Sequence, residues 1–228
     1  TGPAGSGKTT TLACIVDAVN TSRNAHVITI EDPIEYLHQH KQSVVTQREL
    51  FTDTASYDAA LRAALREAPD IILLGEMRDP ETIKAAVTAA ETGHLVISTL
   101  HTIGAANTLD RIVDSFPPEQ QGQIRTQLAL VLEGLVSQEL LPRNGGGLVP
   151  AFEVMTVTPA VRNMIRESKA HQLDNVIAQS AADGMTTLDQ SILKLVKAGT
   201  VTPEEAVHHA LNHEWMLKRL SAENLIAR

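Results

Sequence analysis

Thr1-Gly2-Pro3-Ala4-Gly5-Ser6-Gly7-Lys8-Thr9-Thr10 opens the chain, and Gly2 to Thr9 matches the Walker A pattern throughout. The reason for this composition is physical. Glycines let successive backbone N–H groups curl around phosphate oxygens, and a helix starting just behind them points its positive end at the same anion. In this pattern Lys8 reaches the β- and γ-phosphates, and the Thr9 hydroxyl ligates Mg²⁺. The expected ligands are therefore ATP and Mg²⁺. Gly2, Pro3, Ala4, Gly5, Ser6, Gly7, Lys8, Thr9 and Thr10 are the nucleotide-binding residues. Such a loop normally hangs between a buried strand and a helix. Since Thr1 and Gly2 already belong to the loop, the chain reads as a fragment without its preceding strand, and little hydrolysis is expected from it alone.

Outward from the loop, Lys8 to about Thr21 reads as a helix with Leu12, Ile15, Val16 and Val19 at helical spacing, and His26 to Ile30 follows as a short buried strand. Cys14 falls on that helix and reads as core filler. Ala55 to Ala68 is a second helix ended by Pro69, and Ile71-Ile-Leu-Leu74 is a continuous apolar run suited to a strand covered on both faces. Asp79 to Thr92 is a third helix, His94 to Thr99 the next strand, and Ala105 to Phe116 the helix after it. Strands alternating with helices imply a mostly parallel sheet with helices on both faces. Beyond Pro118 the pattern changes. A helical stretch from about Glu119 to Val136 leads to a strand near Leu140, the turn Asn144-Gly-Gly-Gly147 and a strand over Leu148 to Thr156, read as a hairpin closing the sheet. Short helices follow over Ala160 to Glu167, Thr187 to Lys197 and Pro203 to Leu211. Thr202-Pro203-Glu204-Glu205 supplies an N-cap, a first-turn proline and acids at the helix start.

A length of 228 residues suffices for one large domain, or a medium one with an appendage. The net charge of -8 argues against a surface built to hold nucleic acid. A single cysteine excludes an intrachain disulfide and a cysteine-based zinc cluster. No apolar run approaches the roughly 18 residues needed to span a bilayer, so membrane association would come through a partner.

Two acidic segments carry the candidate chemistry. Ile71 to Leu74 runs into Gly75-Glu76, placing a carboxylate where a Walker B acid faces the metal. Ile28-Thr-Ile30-Glu31-Asp32-Pro33-Ile34-Glu35 puts three carboxylates just past another strand, where ligands bind in open α/β sheets. One of them could orient or deprotonate an attacking water, and composition does not choose among them. His94 and His101 bracket the strand Leu95 to Leu100, and either ring could sense phosphate through an N–H.

Taken in order, these segments resemble the secretion ATPase superfamily that drives type II and type IV secretion and type IV pili. They are Walker A at Gly2 to Thr9, an acidic "Asp box" at Thr29 to Glu35, Gly75-Glu76, and a "His box" from Thr88 to His101. Ala160-Val-Arg-Asn-Met-Ile-Arg-Glu167 resembles a signature of the pilus-retraction branch, with Val161 and Met164 as conservative departures. The lone cysteine agrees, because the extension and type II secretion branches typically carry a four-cysteine zinc module.

The resemblance implies a RecA-like P-loop NTPase core over residues 1–157 and a small helical C-terminal subdomain over 158–228. It implies a cytoplasmic homohexamer, at the inner face of the cytoplasmic membrane, that hydrolyses ATP to drive pilin removal at an inner-membrane platform protein. By motif position Glu35 is the general base, and Glu76 supports metal and water. His94 and His101 couple phosphate state to conformation, and Arg111 matches an arginine near the subunit interface. The Ala160 to Glu167 helix is read either as a coupling surface or as a packed helix burying Val161, Met164 and Ile165. Competing readings are an extension or secretion motor of the same superfamily, a nucleotide-gated scaffold, and a DNA-translocating ATPase. The last is disfavoured by the acidic balance and the lack of aromatic-plus-basic stretches.

Overall fold

The computed structural model describes residues 1–226 and divides into two compact units. One comprises Lys8–Leu100 and Arg111–Leu132; the other comprises Thr1–Gly7, His101–Asp110 and the chain from Glu133 onward. In chain order the elements are α1 (Lys8–Ser22), β1 (His26–Glu31), β2 (Val44–Glu49), α2 (Tyr57–Ala64), β3 (Ile71–Leu74), α3 (Pro80–Glu91), β4 (Leu95–Ser98), α4 (Ala105–Asp114) and α5 (Pro118–Val131). There follow β5 (Gly134–Pro142), β6 (Leu148–Thr156), α6 (Pro159–Arg166), α7 (Leu173–Gln179), α8 (Leu188–Lys197), α9 (Pro203–His209) and α10 (His213–Ala222).

The first unit is a parallel sheet in the order β2-β1-β3-β4. Successive strand residues point to opposite faces, and the apolar strands use both. Ile28, Ile30, Ile72 and Leu74 pack against Ala60, Leu61, Ala64, Ala86 and Ala89 of α2 and α3. Val27, Ile71 and Leu73 pack with Val45 and with Val16 of α1. Burying such side chains contributes about 1.5–3 kcal/mol each.

Cys14 departs from its expected burial and is exposed. It lies two residues from both Leu12 and Val16, about 200° round the helix from the packed line. Ile15, also counted at helical spacing, is 40% exposed; it lies at the margin of the packed line, about 100° from Val16. Strand β2 carried no expectation at all. Its Val-Val-Thr-Gln-Arg-Glu sequence offers two apolar residues, and at the sheet edge only Val45 is buried.

The second unit holds β5 and β6 as an antiparallel pair, Gly134 opposite Thr156 and Pro142 opposite Leu148. This pair is a two-stranded sheet of its own and does not close the parallel sheet as expected. Its apolar face is covered by the helices after it: Leu141 and Ala151 pack with Leu188, Ile192, Val196, Ala206, Met216 and Leu220. The compact units therefore do not coincide with the expected division at 157/158, because the hairpin shares its core with α8, α9 and α10.

Helix α5 ends at Val131, five residues short of the expected Val136, and β5 begins at Gly134. A Cβ at Gly134 would stand 3.2 Å from the Met155 carbonyl oxygen, so the glycine permits close strand pairing where a helix was expected. The expected Thr202 cap is present, its hydroxyl accepting from Glu205 N–H at 3.2 Å, and Thr187 caps α8 in the same way, accepting from Gln190 N–H at 3.2 Å.

Candidate active site

Because β1, β3 and β4 are parallel, their C-terminal ends share one edge, the edge where open α/β sheets bind ligands. Gly75, just past β3, is fixed there. Its N–H donates to Ile30 O at 2.8 Å, and its carbonyl accepts from the Thr99 hydroxyl at 2.6 Å. A Cβ on Gly75 would lie 3.1 Å from the Tyr57 hydroxyl and 3.4 Å from Glu31 Cα, so the next residue, Glu76, owes its position to a glycine that lets two strands and α2 approach.

A cleft of about 80 Å³ opens at this edge, lined among others by Thr9, Glu31, Asp32, Glu35, Tyr57 and Glu76. The three Asp-box carboxylates, equivalent in composition, have different partners. Glu31 accepts the Thr29 hydroxyl at 2.6 Å and the Gln47 amide at 3.2 Å. Asp32 pairs with Arg78 at 3.8 Å, and the Arg78 Nε also pairs with Glu76. Glu35 accepts the Thr9 hydroxyl at 3.1 Å, on the first turn of α1. Thr10 and Tyr36 are joined beside it, hydroxyl to hydroxyl, at 2.9 Å. Glu31 is half-buried among strand groups and Asp32 is paired with Arg78, whereas Glu35 faces the helix start.

Tyr57 is a site residue that sequence reasoning missed. Burial raises the pKa of its phenol, and the Asp32 charge adds to the effect, so the hydroxyl stays protonated and can donate. That hydroxyl is buried and has no hydrogen-bond partner among the described residues. Its sequence signal was only the first residue of a helix after Ser56, which caps α2 by accepting from Ala59 N–H at 3.1 Å. Lys8, at the start of α1, has its ammonium pKa lowered by burial.

His94 is not with the carboxylates. It precedes β4, at the opposite edge of the parallel sheet, and its Nδ1 lies 3.0 Å from Ala89 O and 3.2 Å from the Thr92 hydroxyl. It closes the end of α3, away from the carboxylate edge. His101 is exposed and belongs to the hairpin-containing unit. Arg111 is exposed on α4.

In the phosphate-loop segment, Gly5 and Gly7 adopt φ of 77° and 84°, a left-handed conformation that only glycine takes at little cost. The Ser6 hydroxyl is buried and has no partner among the described residues. A run of N–H groups in such a loop forms a concave anion site, so the segment fits a polyphosphate.

Residues 1–208 match the family described as type II/IV secretion system protein. The chain belongs to that family. It is 52% identical over 217 residues to a twitching motility protein of Neisseria gonorrhoeae, which covers 95% of this chain and 58% of the relative. It is equally 52% identical, over 206 residues, to the type IV pilus retraction ATPase PilT of Pseudomonas aeruginosa, covering 90% of the chain and 60% of the relative. Among solved structures, that of the pilus retraction motor PilT with bound ADP superposes with a TM-score of 0.89 at 49% identity, over 96% of this chain and 62% of that one. The Legionella pneumophila ATPase DotB superposes with a TM-score of 0.81 at 30% identity, over 90% of this chain and 57% of that one. This family member thus spans about three fifths of the length of the curated relatives it matches. Its α/β architecture with a parallel sheet is that of these secretion and pilus ATPases. No described helix is long and apolar enough to cross a membrane.

Proposed function

We propose that this chain is the nucleotide-hydrolysing part of a motor that retracts type IV pili. The observation that carries the reading is the Thr9–Glu35 contact of 3.1 Å, which joins the end of the Walker A motif to the last acid of the Asp box. Identity of 52% to the twitching and retraction relatives points to retraction.

In this reading Gly2 to Gly7 cradle the phosphates through backbone N–H groups, and Lys8 places its ammonium on the β/γ oxygens. Its partial burial sharpens that attraction, since a less hydrated cation is worth more to an anion. Thr9 and Glu76 would hold Mg²⁺, both lining one cleft. The metal, when bound, supplies charge neutralisation for the phosphoryl group. Glu35 takes the proton from a water attacking the γ-phosphorus, releasing ADP and phosphate. Arg78 holds Glu76 in place and screens Asp32 from it. By the family resemblance the chain works as a homohexamer at the inner face of the cytoplasmic membrane, with Arg111 near a subunit interface and the platform protein as partner. His101 would report phosphate state within that assembly.

The test uses the full-length protein with Lys8→Ala. Loss of ADP binding, of ATPase activity and of pilus retraction together is the expected result. Retraction at parental speed without ATP hydrolysis would overturn the motor reading.

A further inference from the structure

Gln138 is buried on β5, and its side chain reaches a residue 132 positions away in the chain. The side-chain amide donates to the Ser6 carbonyl at 2.6 Å. Its backbone N–H donates to Thr1 O at 2.9 Å, while the Thr1 backbone nitrogen donates to Val136 O at 2.5 Å. These two backbone bonds straddle Ser137 in the manner of a parallel ladder, so the start of the loop runs beside β5.

The contacts extend to the two glycines that open and close the loop. A Cβ at Gly2 would lie 2.2 Å from the Gln138 carbonyl oxygen, and one at Gly7 would lie 2.8 Å from Gln138 Nε2. Both are closer than real Cβ contacts allow. Gly2 is therefore demanded by the Gln138 backbone as well as by its own φ of 144°, whereas a side chain at Gly7, whose φ is 84°, would push on the Gln138 amide itself.

The Ser6–Gly7 unit is planar and trans, so its C=O and N–H point in opposite directions. A phosphate site needs N–H groups facing in, and a carbonyl turned the wrong way would present its negative end to the anion. Holding the Ser6 oxygen on Gln138 turns the Gly7 N–H to the far side, away from β5.

We propose that Gln138 is a positioning residue for the phosphate-binding loop: its amide fixes the Ser6–Gly7 peptide so that the Gly7 N–H faces the nucleotide phosphates. This rests on the loop reading above. Gln138 touches no reacting atom. Its work is to keep the loop in its binding shape before nucleotide arrives, so that binding need not include a peptide reorientation.

The test measures the affinity of the full-length protein for fluorescently labelled ADP, with melting temperatures in the absence of nucleotide, for Gln138→Leu, Gln138→Glu and Lys8→Ala. Gln138→Leu, which leaves the Ser6 carbonyl without its donor, is expected to weaken ADP about tenfold. Gln138→Glu is isosteric but presents an acceptor to an acceptor at about pH 8, so it binds at least as weakly there. Burial beside the Ser6 carbonyl favours the neutral carboxyl, so on acidification toward about pH 5.5 it can donate to Ser6 O, and its affinity relative to the parent at the same pH recovers to within about threefold. A purely space-filling role would not produce that pH-dependent rescue. Parental ADP affinity in both Gln138 variants at both pH values, with Lys8→Ala defective, would overturn the inference and leave the loop reading intact. Parental affinity in Lys8→Ala would instead overturn the loop reading. Should Gln138→Leu fail to fold, the pH-dependent ratio for Gln138→Glu decides alone.

Discussion

The β3 strand of the parallel-sheet unit and the hairpin strands of the other unit differ in what they bury. In the first, β3 is apolar at every position, and the carboxylates stand at strand ends: Glu31 ends β1, and Glu76 follows β3 by one residue beyond Gly75. In the second, polar side chains are buried inside the structure. Ser137, Gln138 and Glu153 are exposed by 1%, 6% and 2%. Each serves a backbone group of another segment: Ser137 accepts Gly104 N–H at 3.0 Å, Gln138 holds Ser6 O, and Glu153 accepts Ala105 N–H at 2.7 Å. The contrast teaches a division of labour. Strand ends carry groups that must meet water and ligand, whereas a buried polar strand carries groups that hold other segments in register.

That contrast can be broken most forcefully at Glu35. In the full-length protein Glu35→Gln is expected to lower the rate of phosphate release by about a hundredfold to ten-thousandfold while ADP binding persists. Glu31→Gln, whose carboxylate is engaged by Thr29 and Gln47, should cost far less in the same assay. Equal losses would mean that the strand-end carboxylates are not differentiated as their partners indicate.

Helix α6 sharpens the comparison within the second unit. Val161 and Ile165 are buried, at 0% and 2% exposure, while Asn163 and Arg166 are exposed. Ile165→Ala should destabilise by about 2–5 kcal/mol in urea titration, as large-to-small core changes do. Asn163→Ala should leave stability within about 0.5 kcal/mol. If Asn163→Ala stops retraction at parental ATPase rate, the helix is a coupling surface as well as a packed one.

Glu153 gives the next effect. Burial raises its pKa, and the Asp174 and Asp189 charges add to this against the N–H groups of Ala105 and Leu188. The folded state therefore binds the Glu153 proton more tightly than the unfolded chain does. The stabilising contribution is complete in acid, and it is lost as pH climbs out of the ordinary glutamate range through the raised folded value. Glu153→Gln keeps an acceptor without the charge, so its stability relative to the parent should rise with pH over that window in denaturant titrations. Glu153→Ala, which strands Ala105 N–H, should cost about 1–3 kcal/mol. A smaller loss belongs to a cap: Thr202→Ala should lower stability by about 1 kcal/mol, read as a shift in melting temperature.

Legibility in the sequence followed the range of the interactions. Ile71-Ile-Leu-Leu74 was read correctly to the residue, because a strand covered on both faces is apolar at every position. Leu148 to Thr156 was equally clear after three glycines. β2 was hidden because only Val45 of its residues is buried at the sheet edge. Cys14 was misread because helical spacing shows that a face exists without showing which residues the neighbouring strands reach. The motif alone did not show that His94, preceding a parallel strand, stands at the edge opposite Glu31 and Glu76.

Taken alone, the sequence determined the parallel α/β core, the phosphate loop and the family, since each is written in contiguous residues whose pattern follows from backbone geometry. Tertiary structure alone decided that Glu35, among three like carboxylates, meets Thr9. It also decided that the hairpin packs on the C-terminal helices, and that Gln138 lies against the loop. Those facts depend on which surfaces close over which, and the physical cost of an unpaired buried polar group settles them only when distant segments meet.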